Sequence, residues 1–93
     1  MIIPYAQNMM SSKGNIVPNQ FIIKTGDGWF LQSYHNIIAF KSLNVGKPTQ
    51  LSREYWDYSA ATGRYRNQFL GETKKETEKK IKTGEYVLVD FIN

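Results

Sequence analysis

Five side chains between positions 56 and 66 are the ones best suited to grip another molecule: Trp56, Tyr58, Arg64, Tyr65 and Arg66. Arginine is a planar cation that stacks on rings and forks onto carboxylates and phosphates. Tryptophan, tyrosine and arginine are also the residue types that carry most interface energy. The surrounding stretch, Tyr55 to Glu72, alternates rings with charges, whereas a purely core-filling segment would show an unbroken apolar period. Arg64-Tyr65-Arg66-Asn67 could stack on bases or hold a protein partner. The same residues could instead close an internal clamp onto Asp57 and Glu72, and their types alone leave both open.

Catalytic chemistry has less to stand on. His35 is the only histidine, between Tyr34 and Asn36 in an expected turn. A general base needs an orienting partner and a nearby nucleophile, so His35 reads as a solvated turn residue. Glu76 and Glu78 lie among lysines at helical spacing and read as a solvated face. Asp57 and Asp90 have aromatic neighbours, and Asp57 could accept from Arg64 or Arg66 and order its loop. With no cysteine and one histidine, thiolate nucleophiles and zinc-thiolate sites are ruled out, and no acid-rich calcium loop is present. Gly26-Asp27-Gly28 joins two strands, so it offers no helix N-terminus to a phosphate. The expectation is a non-enzyme with no catalytic residue, no metal and no cofactor.

A second basic feature is the cluster Lys74, Lys75, Lys79, Lys80 and Lys82. Lys74, Lys75, Lys79 and Lys80 are the candidate phosphate contacts if the partner is a nucleic acid. Neighbouring glutamates cancel much of that field, so a solvated helix face competes with this reading.

These residues must be placed by local structure. Phe21–Lys24, Trp29–Ser33 and Ile37–Lys41 read as three strands of an antiparallel meander, with Thr25-Gly26-Asp27-Gly28 as a tight turn using glycine for positive φ. Residues 1–19 read as an irregular N-terminal segment, although Ile16-Val17 could extend the first strand at an edge. Ser42 to Gln50 reads as a loop, and Leu51 starts a short extended or turn segment. Ser59 or Thr62 could cap a helix to about Leu70, stopped by Gly71. Thr73 and Glu76 form a capping box for a second helix to about Thr83, stopped at Gly84. Its buried stripe is thin, Thr77 and Ile81. Glu85–Phe91 is the last strand and is expected to join the meander.

The expected fold is one α+β domain over 1–93: an antiparallel sheet of about four strands, with two short helices between strands three and four. Its apolar face is expected to hold Phe21, Ile23, Leu31, Ile38, Phe40 and either Val87 and Val89 or Leu88, covered by Phe69, Leu70 and Ile81.

Hydrophobic residues make up 41% of the chain, which argues for a packed core and against disorder. No run approaches the roughly 20 apolar residues that span a bilayer. Met1-Ile2-Ile3-Pro4-Tyr5 is short for a signal peptide and lacks a basic leader. The expectation is a cytoplasmic protein with no membrane partner. A formal charge of +4 gives weak attraction to polyanions but no dedicated basic face.

From Gly14 onward the chain resembles a family of small uncharacterised proteins of bacteriophages and prophages of Gram-positive hosts. The likeness is carried by Val17-Pro18-Asn19-Gln20-Phe21, Leu31-Gln32-Ser33-Tyr34, Tyr55-Trp56-Asp57-Tyr58-Ser59, Thr62 to Glu72 and Glu76 to Tyr86. Ser59-Ala60-Ala61-Thr62-Gly63 departs slightly from the family's more threonine-rich version. The resemblance implies a setting, a phage accessory gene acting in the host cytoplasm, and no activity. In that setting the expected function is docking on a host protein, with a defence nuclease as target class in the manner of an anti-CRISPR inhibitor. Trp56, Tyr58, Arg64, Tyr65 and Arg66 are the expected anchors. The alternatives are a small basic nucleic-acid binder, and a self-associating component that pairs through a strand at the sheet edge.

Overall fold

A computed structural model describes residues 5–91. Six strands form one sheet: β1 (Tyr5–Met10), β2 (Ile16–Lys24), β3 (Gly28–Ser33), β4 (Asn36–Ser42), β5 (Thr49–Ser52) and β6 (Tyr86–Val89). Their spatial order follows the chain. The first five run as an antiparallel meander, and β6 adds parallel to β5. A parallel neighbour requires a crossover, and helices α1 (Ala60–Leu70) and α2 (Lys74–Thr83) supply it.

The α+β class and the two helices match expectation. The sheet is larger and mixed, and the helices follow strand five rather than strand three. Two of the strands, β1 and β5, are not expected from sequence. β1 lies inside the segment expected to be irregular, and β5 straddles the expected loop and extended segment. The last strand does not extend the meander antiparallel. The expectation that Met1-Ile2-Ile3-Pro4-Tyr5 is too short for a signal peptide falls largely on residues 1–4, outside the described residues.

Local chemistry explains the punctuation. Ser59 caps α1, its Oγ accepting from the Thr62 backbone N–H, and Gly71 ends the helix with left-handed backbone at φ 70°. Thr73 and Glu76 close the capping box of α2. The β2–β3 turn does not use glycine's positive φ. Thr25 staples it, donating its hydroxyl to the Gly28 carbonyl at 2.8 Å and accepting from the backbone N–H groups of Asp27 and Gly28. Gly28 is required for a different reason: a Cβ there would lie 2.3 Å from the Lys41 carbonyl oxygen and 2.6 Å from the Phe40 ring.

The register decides which residues meet the helices. Ile22, Leu31, Ala39, Leu51 and Leu88 stand in one cross-strand row. This row, with Met9, Ile38, Phe69 and Tyr86, builds the core under α1 and α2. The next row, Ile23, Phe30, Phe40, Gln50 and Val87, points the other way. Phe21, Ile23 and Phe40 therefore do not share the core face with Leu31, which corrects the expected core. Lys41 anchors the far end of α1, donating to the Phe69 carbonyl at 2.9 Å, where the helix dipole favours a cation. No helix among the described residues is long and apolar enough to cross a membrane.

Candidate functional site

The first turn of α1 meets the β3–β4 turn across a cleft of about 420 Å³, lined by Ser33, Tyr34, His35, Asn36, Tyr58 and Ser59 among others. A chain of hydroxyls forms its floor. Ser59 Oγ donates to Thr62 Oγ1 at 3.1 Å, and Thr62 Oγ1 lies 2.9 Å from Ser33 Oγ. Ser59 and Thr62 are thus engaged in capping and in fastening α1 to β3.

Two rings stand at the rim. Tyr58 is 66% exposed and Tyr34 is 47% exposed. Tyr58 is steadied by an edge-on contact with Tyr55, centroids 5.4 Å apart. Tyr34 has left-handed backbone, φ 56°, and its N–H donates to the Asn19 carbonyl at 2.7 Å. A bulky residue in that region carries strain of about 1–2 kcal/mol. Glycine would relieve it.

The expected anchor residues divide. Tyr58 and Arg64 are exposed, and Trp56 and Tyr65 are half-buried against the core. Arg66 is not at the surface; it is 1% exposed. Its Nη1 donates to the Trp56 carbonyl at 2.7 Å and to Asp57 Oδ1 at 3.1 Å, and its Nη2 donates to Asn67 Oδ1 at 2.9 Å. The guanidinium carbon lies 5.1 Å from the centre of the Trp56 ring. The expectation of Arg66 as a docking residue is corrected: it is the internal clamp. Lys74 completes the clamp from α2, 2.7 Å from Asp57 Oδ2. Burial pushes the Asp57 carboxyl up, but hydrogen bonds from Lys74 and Arg66 outweigh it and hold the group below its ordinary range.

Gly63 lies beneath this clamp. A Cβ there would meet Arg66 Nη2 at 3.6 Å and Asp57 Oδ1 at 3.7 Å, ordinary contacts. Glycine inside a helix costs close to 1 kcal/mol relative to alanine. Gly63→Ala is therefore expected to stabilise the protein by about 0.5–1 kcal/mol and raise the thermal midpoint by a few degrees. A lowered midpoint in differential scanning calorimetry would show that the clamp accepts no added methyl.

The lysine cluster also divides. Lys74 is paired with Asp57, and Lys80 donates to Glu72 Oε1 at 2.7 Å. Lys75 and Lys79 are exposed on α2. Two of the four candidate phosphate contacts thus already hold carboxylates of their own chain.

Local sequence neither singles out Tyr34 nor groups Tyr34 and His35 with Tyr58. The turn was recognised, but nothing local indicates that it faces the cap of a helix 25 residues later. One signal was available: a ring in a tight turn, where Asn, Asp or Gly is usual.

The model of a family of unknown function (DUF8033) matches residues 5–85, and the chain belongs to that family. No curated protein and no solved structure matches the chain.

Proposed function

We propose that this family member is a non-catalytic binding protein that docks on a protein partner through the cleft between Tyr34 and Tyr58. The observation that carries the reading is the pair of exposed tyrosines framing a recess whose hydroxyls are already engaged. Rings with a polar tip and little rotamer freedom are the usual anchors of protein interfaces. Arg64 is available on the exposed side of α1, and Tyr55 steadies Tyr58 edge-on. The likeness to phage and prophage proteins supports a host protein as partner, a defence nuclease as the first class to try, and the host cytoplasm as the place of action. Direct binding to nucleic acid is the weaker reading, because Lys74 and Lys80 are neutralised internally.

Tyr34→Gly and Tyr58→Ala test the proposal. Tyr34→Gly removes the ring and relieves the backbone, so the fold is expected to hold or gain about 1 kcal/mol. Affinity capture from a bacterial lysate, read by mass spectrometry and repeated with the purified partner, is expected to lose that partner with both variants. Undiminished capture by both folded variants would overturn the assignment. A salt-sensitive gel shift that depends on Lys75 and Lys79 would replace it with the nucleic-acid reading.

A further inference from the structure

The sheet has a second face, turned away from both helices. Its rows carry Phe21, Ile23, Phe30, Phe40 and Val87, with no charged residue among the paired positions Ala6, Ile23, Phe30, Phe40, Gln50 and Val87 or Asn8, Phe21, Gln32 and Ile37. Each of these five apolar side chains is half-buried, and none packs into the core under the helices. Phe30 lies 4.5 Å from Phe40 and 6.3 Å from Phe91, centroid to centroid, so the middle of the face is aromatic. An antiparallel sheet with one solvated face shows polar residues on that side, whereas near-continuous apolar strands mark a sheet covered on both.

We infer that this face is covered by the same face of a second copy of the chain. The chemistry selects the occupant. A face without charge, on a chain of formal charge +4, neither attracts a polyanion nor discriminates for a charged protein surface. An identical face matches it in polarity at every row, and a two-fold axis brings the two together as stacked sheets about 10 Å apart. Extent sets the strength. Six strands about 4.8 Å apart, averaging about 20 Å in length, give a footprint of about 500 Å² per copy. The pair would bury about 1,000 Å², the lower end for a specific interface, so the dimer is reversible and depends on concentration.

Sedimentation equilibrium over a wide concentration range is expected to show mass rising from the 10.8 kDa chain to twice that value. Ile23→Lys is expected to stay monomeric with its circular dichroism unchanged. If that variant fails to fold, the chain's lack of cysteine allows a second measurement. The single thiol of Gln32→Cys is expected to be increasingly protected from labelling as protein concentration rises, while that of Arg64→Cys is not. A monomer at every concentration would overturn the inference, as would a dimer that survives Ile23→Lys or leaves Gln32→Cys freely reactive, the latter pointing to β1 edge pairing. This interface is independent of the Tyr34–Tyr58 cleft, so either can fail alone.

Discussion

Replacing Arg66 with alanine is expected to cost about 3–5 kcal/mol and lower the thermal midpoint by roughly 15 °C or more. The buried guanidinium joins the Trp56 carbonyl, Asp57 and Asn67, and it stacks on the Trp56 ring. Its removal strands a carbonyl and leaves Asp57 with Lys74 as its other ion-pair partner. A domain of this size has about 5–14 kcal/mol in total, so the variant sits near the edge of folding at 37 °C. Arg66→Lys is expected to recover only part of the loss, because an ammonium cannot reach three acceptors with the geometry of a planar fork. Arg64→Ala, two residues away and exposed, is expected to change stability by less than about 0.5 kcal/mol. Thermal denaturation of the three variants checks the contrast. A midpoint for Arg66→Ala within a few degrees of the parent would show that the clamp is ornamental.

The contrast between Arg64 and Arg66 also shows what the sequence could disclose. Two residues apart on a helix are about 200° apart around its axis, so both cannot face out. Thr62, Arg66 and Phe69 fall at i, i+4 and i+7, the spacing of a single face, and all three are buried. The period was legible; residue type argued against it, since arginine is seldom buried unless paired. Its pairing depends on Asp57 and Trp56, whose loop position no local rule fixes. Helix ends were read closely because Ser59, Gly71, Thr73 and Gly84 act within one turn of themselves.

The sheet was read less well, for reasons that are also physical. In Phe21-Ile22-Ile23 every residue is apolar, so alternation cannot say which side meets the helices. Between β3 and β4 the register shifts, pairing Leu31 with Ala39 but Gln32 with Ile37. Ile38 is the extra residue, and it and Ala39 both enter the core. A bulge of this kind breaks the two-residue period that a sequence reading assumes. β1 and β5 have little intrinsic strand character: Tyr-Ala-Gln-Asn-Met-Met and Thr-Gln-Leu-Ser become strands because neighbours are waiting to pair with them. The candidate cleft was hidden for the same reason, since Tyr34 and Tyr58 meet only when β3 is fastened to α1 through Ser33 and Thr62.

Glu72 is expected to give the second large effect and to set the shape of stability against pH. Its carboxylate sits between the helices and β6, its side chain 4% exposed. It accepts from Thr77 Oγ1, from Lys80 Nζ at 2.7 Å and from Tyr86 Oη at 2.7 Å. Glu72→Ala strands the Thr77 and Tyr86 hydroxyls, leaves Lys80 with its looser contact to Glu85 at 3.8 Å, and is expected to cost about 3 kcal/mol at neutral pH. Burial pushes the Glu72 carboxyl up, but the bonds from Lys80, Thr77 and Tyr86 prevail and hold it below its ordinary value. A depressed carboxyl stabilises the fold above its unfolded pKa, and that contribution is lost as acid carries the pH down through the folded value. Burial, and then Glu72, push the Tyr86 hydroxyl from 10.0 up to about 12. A raised pKa works in the opposite direction: its stabilisation is complete below 10.0 and drains away between there and about 12 as the unfolded chain ionises first. The parent is therefore expected to lose stability at both extremes. Glu72→Gln is expected to flatten the acid limb, leaving the part that belongs to Asp57, and Tyr86→Phe is expected to reduce the alkaline limb, leaving the parts that belong to Lys74, Lys80 and Tyr55, whose pKa values are also raised. Thermal midpoints from pH 3 to 11 test both, and an acid limb as steep in Glu72→Gln as in the parent would place the acid sensitivity elsewhere.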